Sequence, residues 1–156
     1  MHFSWFLGPL YFFAQAVAAI LASASIYAIF PSAQTTELGT PVYNIDSTWW
    51  QALIVEYFLT FAFVLFMLSR YFDPEYNAKR VRDSSFIPPT AHFISGIVLT
   101  LLNLFGIAIS GASLNPARSF SAALISDTWT GHWIYWVGPF FGAFTASMVF
   151  RCFREW

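Results

Sequence analysis

Four successive residues, Asn115, Pro116, Ala117 and Arg118, stand where an apolar chain should be finding its next hydrophobic span. Asparagine before proline is a helix-start signal: the asparagine side chain caps, and proline fills the first helical position, where its missing N–H costs nothing. From Pro116 to about Ile125 the residues suit a helix of roughly 15 Å, half the thickness of a bilayer. The preceding "SGASL" has little helix-forming character. Residues 110–126 are therefore expected to enter a membrane, reach its midplane unwound and return as a half-helix. Non-helical backbone at that depth is tolerated only against protein or a water-filled cavity. The half-helix N-terminus offers unpaired N–H groups and about half a positive charge. The Asn115 amide can donate to a passing oxygen, and the carbonyls of Gly111, Ala112, Ser113 and Leu114 can accept. Arg118, one turn further on, adds a permanent charge and a fork of donors that narrow and polarise the path. Such a cavity passes neutral hydrogen-bonding solutes and repels ions.

Glu56 is the second chemical anomaly, an ionisable group inside the apolar run that opens at Trp49. An intramembrane carboxylate usually faces the bundle interior with a partner, because lipid exposure costs several kcal/mol. The alternative is a snorkelling or protonated glutamate. His92 and His132 have no second histidine or carboxylate at metal spacing, so no metal and no cofactor are expected. Glu56, Arg118 and His92 do not compose a nucleophile, a base and an orienting group, which argues against an enzyme.

The elements that hold these groups are read from composition. Of 156 residues, 58% are hydrophobic, 21% aromatic and only 10% charged, against about a quarter charged in soluble domains. The balance points to a chain solvated by a lipid bilayer. The net charge of −1 comes without a basic patch, so no nucleic-acid partner is expected. The single cysteine, Cys152, excludes an intrachain disulfide. Apolar runs at 6–30, 49–68, 90–109 and 133–150 each approach the length needed to span a hydrocarbon core about 30 Å thick. The expected fold is an all-α membrane protein: four transmembrane helices and one re-entrant half-helix, in a single domain over residues 1–156. Of seven cations, Arg70, Lys79, Arg80 and Arg82 fall between the second and third runs, and Arg151 and Arg154 follow the last. The positive-inside rule then puts both termini in the cytoplasm. Trp49, Trp50, Trp129, Trp133 and Trp136 mark the outer interface, and Trp5 and Trp156 the inner one. Nothing in the residues selects a plasma over a vacuolar membrane. Ala-Ser-Ala at 22–24 resembles a signal-peptide cleavage site, but no Lys or Arg precedes it and hydrophobicity continues to Phe30, which favours a spanning helix.

The first and fourth runs echo each other. "AQAVAAILAS" aligns with "GPFFGAFTAS", and small residues recur every fourth position at Ala14, Ala18, Ala22 and at Gly138, Gly142, Ala146. That spacing gives a helix face on which another backbone can approach closely. Asn115 precedes Ala143 by 28 residues, so its counterpart should lie as far before Ala19, upstream of Met1. The chain thus reads as the last helix of one repeat followed by a complete second repeat.

"SGASLNPARSFSAALI" with "GHWIYWVGPFFGA" resembles the second Asn-Pro-Ala region and final helix of the aquaporin (major intrinsic protein) family. "YFFAQAVAAILAS" and "IVEYFLTFAFVLFML" are similar to its third and fourth helices. The resemblance implies an inverted-repeat bundle of six spans with two half-helices meeting at the midplane. It also implies a tetramer with one pore per subunit, conducting water or small neutral solutes without protons. The first two helices and first Asn-Pro-Ala motif of that pattern are missing here, which implies a truncated aquaporin. By position, Asn115, Pro116 and Ala117 would be the second signature, with the carbonyls of Gly111, Ser113 and Leu114 along the pore. Arg118 would be the arginine of the selectivity filter. Asn103 falls where strict water channels usually have histidine, and Ala112 where many members have cysteine or another small residue. Serine follows Arg118, where glycerol-conducting members typically have aspartate, which favours the water branch. Glu56 would accept hydrogen bonds from the re-entrant loop and hold its shape. The expected function is a passive channel. The alternative is a non-conducting subunit that associates with full-length channel subunits.

Overall fold

A computed structural model of the chain describes residues 7–30, 39–71 and 89–154. The basic loop with Lys79, Arg80 and Arg82, together with Trp5 and Trp156, lies outside the described residues. Within them the secondary structure is helical: α1 (Leu7–Ile29), α2 (Trp49–Tyr71), α3 (Pro89–Gly106), α4 (Pro116–Ser126) and α5 (Ile134–Arg154). By length and hydropathy α1 and residues Trp49–Arg70 of α2 are able to cross a membrane, and α3 contributes a shorter apolar stretch, His92–Gly106.

Local chemistry sets the helix ends. Thr48 caps α2, and Gln51 reaches back to it, its Oε1 accepting from Thr48 N at 2.8 Å and Thr48 Oγ1 at 2.9 Å. Asn115 caps α4 from an extended backbone conformation, its side chain accepting from Ala117 N at 3.0 Å, with Pro116 behind it. After the eleven residues of α4, Asp127 ends the helix in the left-handed region (φ 54°), its N–H returning to the Ala123 carbonyl. At about 1.5 Å per residue, α4 is roughly 16 Å long. Arg151 and Arg154 in the last turn of α5 complement its dipole.

The α2–α5 pair is the most extensive helix contact, and glycine makes it possible. A Cβ on Gly138 would stand 2.8 Å from Glu56 Cβ, and one on Gly142 would stand 2.5 Å from the Tyr57 carbonyl oxygen. Gly138, Gly142 and Ala146 are all buried, so the small-residue face of α5 carries α2 directly. On α1 the outcome differs. No residue of this helix is buried, Ala14, Ala18 and Ala22 are exposed, and the helix meets α4 through a hydrogen bond between Ser23 Oγ and Ser121 Oγ (2.9 Å). The echo with α5 is thus one of sequence spacing; the packing on the two faces is different, Ala22 only lining a cleft toward α4 where Gly138, Gly142 and Ala146 are buried.

The burial pattern is inverted relative to a soluble domain. Leu10, Phe13, Phe93, Leu104, Phe105 and Phe144 are each at least 63% exposed, while Glu56, Thr60, Ser110, Ser113, Ser119 and Ser121 are buried. An apolar exterior of this extent is stable against lipid rather than water. Leu59 of α2 meets Ala112 and Leu114, flanked by Val55, Phe63 and Leu102, so that one small apolar cluster joins α2, α3 and the 107–115 segment.

Candidate pore site

Between α3 and α4 the backbone leaves helical geometry. Gly111 (φ 79°), Ala112 (φ 48°) and Leu114 (φ 55°) all lie in the left-handed region. For a non-glycine residue this costs about 1–2 kcal/mol, so two of the three need external support. Gly111 is required twice over, since a Cβ there would also press to 3.0 Å on both the N and the O of Val42.

Support comes from Glu56, which is fully buried. Its Oε1 accepts from Ser110 Oγ and Ser113 N, each at 2.8 Å, and its Oε2 accepts from Leu114 N at 2.9 Å. A carboxylate can take all three donors because it presents only acceptors when ionised. Tyr135 of α5, also fully buried, donates its hydroxyl to the Ser110 carbonyl at 2.6 Å. Asn44 holds the preceding turn, its N–H on the Ile109 carbonyl (3.0 Å) and its Nδ2 on that of Ala108 (3.2 Å). Ser113 Oγ bonds to Ser119 Oγ and donates to the Asn115 carbonyl at 2.9 Å, which ties the loop to the first turn of α4.

The N–H groups of Ala112 (to Ser110 Oγ, 3.1 Å), Ser113 and Leu114 (to Glu56) and Asn115 (to Ser113 Oγ, 3.3 Å) are spent, while the loop's acceptors are not. Among the described residues, no hydrogen bond reaches the carbonyls of Gly111, Ala112, Ser113 or Leu114. Asn115 is exposed; its Oδ1 is committed to Ala117 N, and its Nδ2 has no protein partner among the described residues. Ser113, Leu114 and Asn115 border a cavity of about 460 Å³ whose wall also includes Thr60, Asn103 and Arg118; Gly111, whose carbonyl was expected along the path, is not part of that wall. Pro116 is part of the same wall, and Ala117, half-buried behind it, contributes its N–H to the cap. Asn103 Nδ2 donates to its own helix at the Leu99 carbonyl (2.8 Å), so the amide oxygen is the atom it offers the cavity. Arg118 is exposed and borders a second cleft of about 340 Å³ between α1 and α4, with Ser23 and Ser121.

Asn103, Asn115 and Arg118 are thus brought to one cavity. Ala112 is not among the residues of that wall. It is 1% exposed, and its methyl is held in the cluster with Leu59 and Leu114, so the expected grouping of its side chain with Arg118 and Asn103 is corrected. The positive φ that lets the loop turn sends this side chain into the core. Ser119 likewise is buried and spent on Ser113 and on the Asn115 carbonyl (3.2 Å), so its identity reports packing rather than cavity chemistry. Tyr135 and the serines at 110, 113 and 119 were missed as a network. Tyr135 sits in "HWIYW", where it passes for one more interfacial aromatic. Three hydroxyls within ten residues of an apolar segment were the available signal. Among the described residues no three His, Cys, Asp or Glu side chains are grouped to hold a metal.

An aromatic cluster closes the far end of α4. The His132 ring centroid lies 6.4 Å from Phe120, 5.0 Å from Trp129 and 6.3 Å from Trp136. Trp136 Nε1 donates to His132 Nε2 at 3.0 Å, which requires a neutral imidazole with its proton on Nδ1. Burial lowers the His132 pKa from its ordinary 6.5, in agreement with that role.

Comparison with known proteins places this geometry. Residues 1–150 match the family model described as "Major intrinsic protein". The chain is 36% identical over 140 residues to the lens fiber major intrinsic protein of Bos taurus, covering 90% of this chain and 50% of the relative. It is 37% identical over 152 residues to aquaporin TIP4-1 of Arabidopsis thaliana (96% and 56% covered). With aquaporin-7 of Botryotinia fuckeliana (strain B05.10) the identity is 38% over 152 residues (94% and 30% covered). The chain spans about half the length of most of the curated relatives it matches.

Proposed function

This chain belongs to the major intrinsic protein (aquaporin) family, a family of membrane channels and not of enzymes, and we propose that it acts as a passive channel for water or small neutral solutes. One observation carries the proposal. Glu56 takes the N–H groups of Ser113 and Leu114, and the free carbonyls of these two residues, with the Asn115 Nδ2 donor, lie in the wall of a cavity that also holds Asn103 and Arg118. A solute that both donates and accepts can exchange its hydration shell for these groups at little enthalpic cost. A cation or hydronium meets the positive end of α4 and the Arg118 guanidinium, and is repelled by both.

In this reading α1, α2, α3 and α5 span the bilayer, and 110–126 is re-entrant. The basic 70–88 segment and both termini face the cytoplasm, which the cation distribution supports. Subunits assemble as tetramers. Asn103 and Arg118 form the narrow part of the path. An amide oxygen opposite the guanidinium suits hydroxyl and amine solutes as well as water.

The test is stopped-flow osmotic shrinkage of vesicles reconstituted with the chain. The channel reading requires shrinkage faster than that of empty vesicles, and equal rates refute it. A second reading is favoured by α1, none of whose residues is buried. In it the chain is a non-conducting subunit that packs against full-length channel subunits. It predicts empty-vesicle rates for the chain alone, together with altered tetramers on co-expression.

A further inference from the structure

We propose that the inner ends of α2 and α5 form a binding site for the phosphodiester headgroup of an anionic phospholipid, held by Arg70, Arg151 and Arg154. The site lies apart from the cavity and depends on α2 and α5 spanning the bilayer as proposed above, not on conduction. The two helices run parallel and in step. Gly138 of α5 lies against Leu53, Glu56 and Tyr57 of α2, and Gly142 against Tyr57, Thr60 and Phe61, an advance of four residues on each helix. Trp49 and Trp133, with ring centroids 5.8 Å apart, put the outer ends level. Arg70 and Arg154 each follow their tryptophan by 21 residues. At about 1.5 Å per residue both stand roughly 32 Å further in, across a hydrocarbon core about 30 Å thick. Arg151 is one turn before Arg154, so three guanidiniums gather at the inner headgroup level.

The chemistry of the three side chains fits a lipid phosphate. The Arg70 Nε is buried and has no hydrogen-bond partner among the described residues, which is unfavourable for a donor. An arginine fork takes a phosphate through two parallel N–H bonds, and Nε supplies one of them. The side chain as a whole is only half-buried, so the fork can turn that edge to an oxygen arriving at the helix ends. Arg151 and Arg154 are exposed and take part in other interactions. With five donors each, they can add a phosphate oxygen to a contact they already make. The C-termini of α2 and α5 are the negative ends of their dipoles, which lets three like charges collect there. Phe153, beside Arg154 in the last turn of α5, is 79% exposed. It offers apolar surface to an acyl chain, which a soluble phosphate would not use, and this selects the lipid as the occupant.

The test is native mass spectrometry of the whole chain in detergent, titrated with phosphatidylglycerol or with phosphatidylcholine. It reads the dissociation constant of the first lipid bound, and the ratio of the two constants is the headgroup preference. The wild-type chain should favour phosphatidylglycerol by at least about 10-fold. One basic residue beside the headgroup is worth about 5-fold, so Arg70→Gln should lower the preference by about that factor. Arg70→Lys, which keeps the charge and loses the fork, should lower it less. Lys79→Gln removes the same charge from the loop after α2 and should leave the preference unchanged. Phosphatidylcholine binding reports folding; if Arg70→Gln loses it too, Arg151→Gln takes its place with the same expectation. Equal constants for the two lipids in the wild-type chain, an unchanged preference in the arginine variant, or an equal fall in Lys79→Gln overturns the site. Displacement of phosphatidylglycerol by inorganic phosphate at constant ionic strength makes a soluble anion the occupant and overturns the lipid assignment. None of these results depends on osmotic flux, so the channel reading stands or fails by its own assay.

Discussion

Replacing Glu56 by glutamine keeps shape and volume and changes only hydrogen-bonding capacity, which makes its consequence calculable. The carboxylate accepts three bonds, two of them from backbone N–H groups. A glutamine oxygen can replace Oε1 and keep Ser110 Oγ and Ser113 N, but its NH₂ then faces the Leu114 N–H, donor against donor. An orphaned buried donor costs about 1–3 kcal/mol, and each retained bond loses its charge assistance, about 1 kcal/mol more. The total is about 3–5 kcal/mol. Against it stands the strain the carboxylate offsets at Ala112 and Leu114, about 2–4 kcal/mol for the two. The loss matches or exceeds the strain, so the loop should leave its left-handed geometry rather than merely soften within it. The chain in detergent should melt on the order of 10 °C lower. Amide exchange at Ser113 and Leu114 should rise toward unprotected rates, and osmotic flux should fall to that of empty vesicles. Unchanged melting together with unchanged protection of those two amides would refute the argument that Glu56 holds the loop.

Other perturbations probe separate parts of the molecule. Gly142→Ala places a Cβ about 2.5 Å from the Tyr57 carbonyl oxygen, so α5 must back away from α2; a loss of about 1–3 kcal/mol is expected, read as a lower melting temperature. Arg118→Val removes the fixed charge bordering the cavity and should raise proton or cation leak in a pH-jump assay on loaded vesicles while water flux persists. For His132 the sign follows from burial, which holds its folded pKa below the ordinary 6.5. As pH falls through 6.5 the unfolded chain takes up a proton that the folded chain resists, so stability declines until the folded pKa is also passed. The melting temperature should therefore drop as pH falls through 6.5, and His132→Gln should flatten that slope.

What could be read from the residues, and what could not, divides along the range of the forces involved. The start of α4 was legible because it is written locally, in a capping asparagine followed by proline, and the helix begins at Pro116. The apolar runs carry their own length, and the helices track them: α2 opens at Trp49, where its run opens, and α5 at Ile134, one residue into its run. Glu56 stood out because a carboxylate in such a run needs partners, and the structure puts three donors on it. The left-handed backbone at Ala112 and Leu114 had no local signature. Neither residue prefers φ > 0, and both are held there by a carboxylate more than fifty residues away in the chain. This same long-range support undoes the inference about Ala112. Its place in the motif suggested a side chain on the path, yet the φ of 48° that bends the loop turns its methyl to the core. Of the loop residues, Ser113, Leu114 and Asn115 border the cavity while Gly111 and Ala112 do not, a division that motif spacing alone does not carry.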